Sequence, residues 1–183
     1  FILALIMDQP HKVYISLGSN KGDRLKHLQD AVDLIFARIG KVNIISKVYN
    51  TPALGFEGDD FLNTCIFIET NFSSEQLIDE LLTIETILGR TRENTKGYQS
   101  RIIDLDVLFF DDEIINSKSL KVPHPKMQER KFVLQPLYDI APKHIHPKLN
   151  VSIAEWLENC NDDSQVEPFH IWLKKPSKQF HFS

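Results

Sequence analysis

The chain has 183 residues, 42% of them hydrophobic and 25% charged, which suits one folded domain with a real core and excludes global disorder. A formal net charge of −4 leaves no polybasic footprint, which counts against nucleic acid as the main partner. The two cysteines, Cys65 and Cys160, are far apart and belong to no C-x-x-C pair, so neither a zinc site nor a disulfide framework is indicated and a reducing, cytoplasmic setting is expected.

The N-terminal run F-I-L-A-L-I-M is seven residues long. That is well short of the roughly 20 a bilayer-spanning helix needs, and no basic leader accompanies it. Residues 1–11 therefore read as an N-terminal extension, with Met7 as the expected natural start. Lys12–Leu17 reads as a first strand, and G-S-N-K-G as a turn with Asn20 and Asp23 as caps. A helix is predicted from Asp23, with Leu25, Leu28, Val32, Leu34, Ile35 and Ile39 at helical spacing and Gly40 ending it. Val42–Tyr49 alternates as a second strand, Thr51–Asp60 is loop, and Phe61–Thr70 is a third strand holding Cys65 as a core thiol.

Ser73 with Gln76 three residues on forms a capping box for a helix reaching about Leu88. Residues 90–100 are a charged loop. Asp104–Phe110 and Glu113–Asn116 are predicted to pair as a hairpin around Asp111–Asp112. V-P-H-P-K-M is a proline-framed loop. A helix over 128–140 must bend or break at Pro136, and a short one is expected at 152–159. The order β-α-β-β-α-β is the split β-α-β arrangement, which predicts an α+β, ferredoxin-like fold: a mostly antiparallel sheet with helices on one face. The folded unit is placed at 12–160. Residues 161–183 are a C-terminal tail whose V-E-P-F-H-I-W-L run either adds a strand or docks on the core.

The most informative run is G-Y-Q-S-R-I-I-D-L-D-V-L-F-F, from Gly97 to Phe110. On a strand, Asp104 and Asp106 share a face roughly 7 Å apart along the chain, while Leu105 points the other way. Two carboxylates inside an apolar segment resist burial unless a cation compensates them, and oxygen donors at this spacing suit hard cations. The competing reading is an ordinary solvated strand face. Arg90, Arg92, Lys96 and Arg101 precede the pair, as cation clamps on phosphate oxygens do; alone, they would read as a solvated basic loop. G-S-N-K-G is neither a P-loop nor a dinucleotide fingerprint. His124 sits between two prolines, able to donate to a phosphate. Phe61 and Asn63 alternate on the third strand, so a planar heterocycle has a ring to stack on and an amide to pair with.

These residues stand in blocks: Y-I-S-L-G-S-N-K-G-D, Y-N-T-P-A-L-G, D-D-F-L-N, I-E-T-I-L-G-R-T-R, S-R-I-I-D-L-D-V-L and V-P-H-P-K-M-Q-E-R-K-F-V-L-Q-P-L. In content and order they resemble the 6-hydroxymethyl-7,8-dihydropterin pyrophosphokinase family of folate biosynthesis, over about Val13–Pro147. The resemblance implies transfer of a pyrophosphoryl group from ATP to the pterin's hydroxymethyl oxygen, with release of AMP. It implies that Asp104 and Asp106 hold two Mg2+ ions and that Arg90 and Arg101 are catalytic. Glu85, Arg92, Tyr98, His124 and Arg130 then bind nucleotide. Thr51, Pro52, Leu54, Phe61, Asn63 and Phe132 line the pterin pocket. Where some members carry W-G-P-R, this chain has Y-Q-S-R, so Tyr98 takes the tryptophan's place; Leu82 stands where a family glutamine is usual. A monomer is expected, without nucleic-acid or membrane partners, and with possible fusion to or handover with another folate enzyme. Rival readings are a ligand sensor without catalysis, a different phosphotransferase and an RNA-recognition sheet, the last disfavoured by acidic charge and by the lack of an R-G-F-G-F-V-type strand.

Overall fold

The computed structural model describes residues 9–53, 58–89 and 102–177. In chain order its elements are β1 (His11–Ser19), α1 (Arg24–Arg38), β2 (Gly40–Ile45), β3 (Tyr49–Thr51), β4 (Phe61–Thr70), α2 (Ser74–Ile87), β5 (Asp104–Phe110), β6 (Ile115–Asn116), β7 (Lys121–Val122), a 3-10 turn (Met127–Glu129), α3 (Lys131–Ile140), α4 (Ile153–Glu158) and β8 (Glu167–Pro168). The main sheet runs β5-β1-β4-β3-β8, with β2 also on β4, and every pairing in it is antiparallel. This is the expected α+β ferredoxin-like order, with the second strand of that pattern divided into β2 and β3. Among the described residues no helix is long and apolar enough to cross a membrane.

Alternation along the strands builds two cores. Val13, Ile15 and Leu17 of β1, Ile66 and Ile68 of β4, and Leu105 and Val107 of β5 face α1 through Leu28, Val32 and Ile35, and α2 through Leu77, Leu81 and Ile84. On the opposite side Cys65, Leu108 and Phe109 meet Met127, Val133, Leu137 and Ile153, with Tyr14, Phe132 and Trp156 at the margin. Helices thus cover both faces, not the single face that the element order predicts. Tyr14, Cys65 and Phe109 make the second face apolar enough to need cover, and burying one such aromatic contributes about 1.5–3 kcal/mol. A bulge assists: Ile15 pairs with Val107 but Tyr14 with Phe109, leaving Leu108 as the extra residue, so β5 turns two successive side chains into that second core.

The helix starts follow the sequence. Asp23 accepts from Lys26 N at 3.1 Å, and Ser73 with Gln76 forms the full capping box. Other expectations are corrected. Asn20 is buried and donates to the Asp59 carbonyl at 3.3 Å instead of capping α1. Gly40 opens β2, because a Cβ there would stand 2.1 Å from the Glu69 carbonyl oxygen. Phe110 does not turn back into a hairpin. Asp111 accepts from Lys12 N and contacts His11 Nδ1, both at 2.7 Å, tying the end of β5 to β1, and β6 pairs with β7. The predicted 128–140 helix breaks at Arg130, whose backbone is extended, and runs on through Pro136.

Strand β2 is followed by Ser46, whose hydroxyl accepts from Cys65 N at 2.9 Å while its own amide donates to the Cys65 carbonyl. That buried exchange carries the pairing with β4 across the gap between β2 and β3. Cys65 itself is sealed, and burial pushes its thiol far above the usual range.

Replacing Gly40 by Ala forces two backbones apart. An overpacking cost of about 1–3 kcal/mol is expected in urea unfolding, with an unchanged denaturant slope.

Candidate functional site

Register places the predicted residues. Tyr49 on β3 pairs with Asn63 on β4, Asn63 with Gly18 on β1, and Gly18 with Asp104 on β5. Directly paired residues share a face, so this row crosses the sheet on its α3 side. The row beneath it is Cys65, Ser16 and Asp106. Asp104 and Asp106 therefore share a face, and buried Leu105 projects into the other core. Strand spacing sets Asn63 and Asp104 about 10 Å apart, with only Gly18 between them.

Gly18, expected in a turn, is a strand residue in the middle of the site. A Cβ at this position would lie 2.8 Å from Asn63 Oδ1. Its bareness leaves the floor of the row open between the amide and the carboxylate. A sequence signal exists for this, since a glycine inside a strand often marks close approach of another group.

Asn63 is 4% exposed and donates through Nδ2 to Thr51 Oγ1 at 2.9 Å. Thr51 is buried and pairs with Phe61, which is half-buried at the start of β4. Pro52 follows on the surface. Phe132, in the first turn of α3, lies on the same side of the sheet, half-buried, with the Arg130 guanidinium 5.8 Å from its ring centroid. That distance is within cation–π range. The two walls are joined lower down, where Tyr49 OH donates to Asp139 on α3 at 2.7 Å; burial, then that bond, push the phenol well above its ordinary range.

Glu85 occupies an unexpected place. It is 3% exposed on α2, and its Oε1 accepts from Leu105 N at 3.0 Å. Among the described residues β5 is an edge strand, so this carboxylate satisfies an outward amide that no described strand reaches, between the two aspartates. His124 is held by its backbone N donating to the Leu108 carbonyl at 3.0 Å, while its Nδ1 accepts from Lys126 N at 3.2 Å. Leu54, Arg90, Arg92, Tyr98 and Arg101 lie outside the described residues.

The donor chemistry suits a hard cation. Both aspartates offer carboxylate oxygen on one face, and among the described residues no group of three His, Cys, Asp or Glu side chains forms a closed cage. Magnesium is commonly held in this way, by one or two carboxylates with substrate phosphates completing its shell.

A family model described as 7,8-dihydro-6-hydroxymethylpterin-pyrophosphokinase matches residues 14–142. The folic acid synthesis protein fol1 of Pneumocystis carinii is 41% identical over 172 residues, covering 93% of this chain and 23% of that protein. The chain thus spans about a quarter of that relative. The 2-amino-4-hydroxy-6-hydroxymethyldihydropteridine pyrophosphokinase of Aquifex aeolicus is 36% identical over 165 residues, 88% of this chain and 98% of the relative. Its counterpart in Bacillus subtilis is 43% identical over 129 residues, 69% and 76% of the two chains. Among solved structures, Plasmodium falciparum HPPK-DHPS A437G with SDX-DHP aligns with a TM-score of 0.68 at 17% identity, over 85% of this chain and 47% of that one. At that identity the likeness speaks for the fold.

Burial, then the Arg130 charge, lower the His124 pKa, and Asp104 opposes them. The metal-free protein should show His124 titrating below 6.5 by NMR. Arg130→Gln should raise that midpoint and Asp104→Asn lower it further. Because the folded value is depressed, His124 favours the folded state when neutral, and its contribution is lost as pH falls below 6.5.

Proposed function

Since this chain belongs to the 7,8-dihydro-6-hydroxymethylpterin-pyrophosphokinase family, and is thus a pyrophosphokinase, a transferase of folate biosynthesis, we propose that it moves the terminal pyrophosphoryl group of ATP onto the hydroxymethyl oxygen of 6-hydroxymethyl-7,8-dihydropterin and releases AMP. The observation that carries this reading is the shared row: Asn63 and Asp104 on one face of the sheet, separated by bare Gly18.

In this reading Asn63 and Thr51 present polar atoms to the edge of the pterin, and Phe61 and Phe132 flank its faces. Pro52 stands at the rim, and Leu54 is assigned to the same pocket. The hydroxymethyl arm then lies along the row toward β5. Asp104 and Asp106 hold two magnesium ions with the ATP phosphates. When bound, magnesium draws charge from the phosphorus under attack and from the leaving oxygen.

Arg90 and Arg101 stabilise the charge that builds on the transferring and leaving oxygens, and Arg92, Tyr98, His124 and Arg130 hold the nucleotide. Neutral His124 offers one N–H to a phosphate without the cost of charging a half-buried ring. Glu85 acts through the backbone, by fixing the Leu105 amide between the two metal-holding residues. No side chain is assigned as general base. The enzyme works as a cytoplasmic monomer, or as a segment that hands its product to another folate enzyme; the Pneumocystis relative, of which this chain covers 23%, fits the second arrangement.

Incubation with ATP, magnesium and the hydroxymethyl pterin should yield AMP. ADP would signify ordinary kinase chemistry and overturn the reading. Asp104→Ala should lower turnover by about hundredfold or more with an intact circular dichroism spectrum; turnover within tenfold of wild type would remove the metal role. Gly18→Ala should raise the KM for the pterin about tenfold or more by displacing the Asn63 amide, with a smaller change in the KM for ATP.

A further inference from the structure

The C-terminal tail carries a feature that neither the fold nor the reaction requires. Helix α3 begins without a cap of its own: Arg130 occupies the N-cap position and makes no side-chain hydrogen bond to the first turn. The acceptor comes from thirty-one residues further along. Asp162 Oδ2 accepts from Lys131 N at 3.0 Å, and Oδ1 accepts from Ser164 N at 2.9 Å and from the Ser164 hydroxyl. Just before it, Cys160 Sγ lies 3.9 Å from the Gln128 carbonyl on the 3-10 turn. Both Arg130 and Phe132 stand within one residue of the amide that Asp162 holds.

The same segment then crosses to the opposite wall. Glu167 and Pro168 pair with Asn50 and Tyr49 on β3, immediately before Thr51, and Phe169 N donates to the Val48 carbonyl at 2.7 Å. It ends against α1. Leu173 is 8% exposed in the first core, and the Gln29 side-chain amide exchanges two hydrogen bonds with the Lys174 backbone at 2.8 and 2.9 Å.

We infer that Asp162–Lys174 is a strap that sets the spacing between the helix wall and the strand wall of the pterin pocket, with Asp162 as its positioning residue. The inference rests on the pocket assignment above, but the strap's hold on α3 is independent of it. Burial raises the Asp162 carboxyl, but the Ser164 and Lys131 hydrogen bonds and the Lys131 charge outweigh it, so it remains ionised where the helix N-terminus favours an anion. Removing the cap loosens the first turn of α3. Pterin then meets Phe132 correctly placed only part of the time, and its apparent affinity falls by that fraction.

The test compares the wild-type chain with Asp162→Ala, Asp162→Asn and Ile39→Val, a core truncation at the far end of the sheet. Binding of 6-hydroxymethylpterin with a non-hydrolysable ATP analogue is followed by fluorescence, and amide exchange is followed over Lys131–Leu134. Asp162→Ala should weaken pterin binding about fivefold, the factor that corresponds to one lost helix cap, and should speed exchange at Lys131. Asp162→Asn keeps one acceptor oxygen but loses the charge and the second acceptor, and should fall between the wild type and Asp162→Ala on both binding and exchange. Ile39→Val should lower stability with binding within about twofold. Unchanged exchange in Asp162→Ala overturns the strap. Faster exchange with binding within twofold overturns its role in the pocket. A wild-type chain that does not bind the pterin overturns the pocket assignment instead, and exchange still decides the strap.

Discussion

The whole arrangement depends on the register of β1 against its two neighbours. Gly18 faces Asn63 on one side and Asp104 on the other. A slip of one residue on either side would send an amide or a carboxylate into the opposite core and bring Leu62 or Leu105 out. Register is in turn enforced by burial, since Val13, Ile15 and Leu17 have nowhere else to go. The core and the site are two faces of one alternation, and the residues that stabilise the first also aim the second.

That alternation is legible in the amino-acid sequence alone. Asp104 and Asp106 on one face, Phe61 and Asn63 on another strand, the capping box at Ser73 and the ferredoxin-like order all follow from period, caps and turn residues. What is not legible depends on distant partners. A strand glycine can mark a close approach, but nothing near Gly18 names Asn63 as the group that approaches, and within G-S-N-K-G it passes for a turn residue. Nothing near Phe110 says that Asp111 will bind the start of β1, so local rules favour a hairpin where the chain is tied sideways. Likeness alone points to Glu85; its bond to the Leu105 amide is visible only once an edge strand is known to lie beneath α2. The apolar second face is also hidden, because the bulge that turns Leu108 and Phe109 to one side breaks the period on which such a reading relies.

The two walls of the site have different anchors. The strand wall belongs to the sheet and shares its stiffness. The helix wall begins after a break at Arg130 and is fixed to the sheet by Tyr49 and Asp139, by the second core, and by the tail. Ferredoxin-like sheets are open at their edges. Here β8 covers the β3 edge, and Glu85 answers the outward amide of Leu105 at the other. Both devices guard an edge against strand-to-strand association between copies, and both sit beside residues to which the proposed reaction is assigned.

The environments of the two sulfur atoms differ sharply. Cys65 is enclosed between sheet and helix, whereas Cys160 is half-buried where the tail leaves α4 and passes the 3-10 turn. A maleimide dye added to the native protein should label one position without any engineering. That position lies at the root of the segment that passes from α3 to β3, so the attached fluorophore would act as a built-in gauge of how firmly that segment is seated.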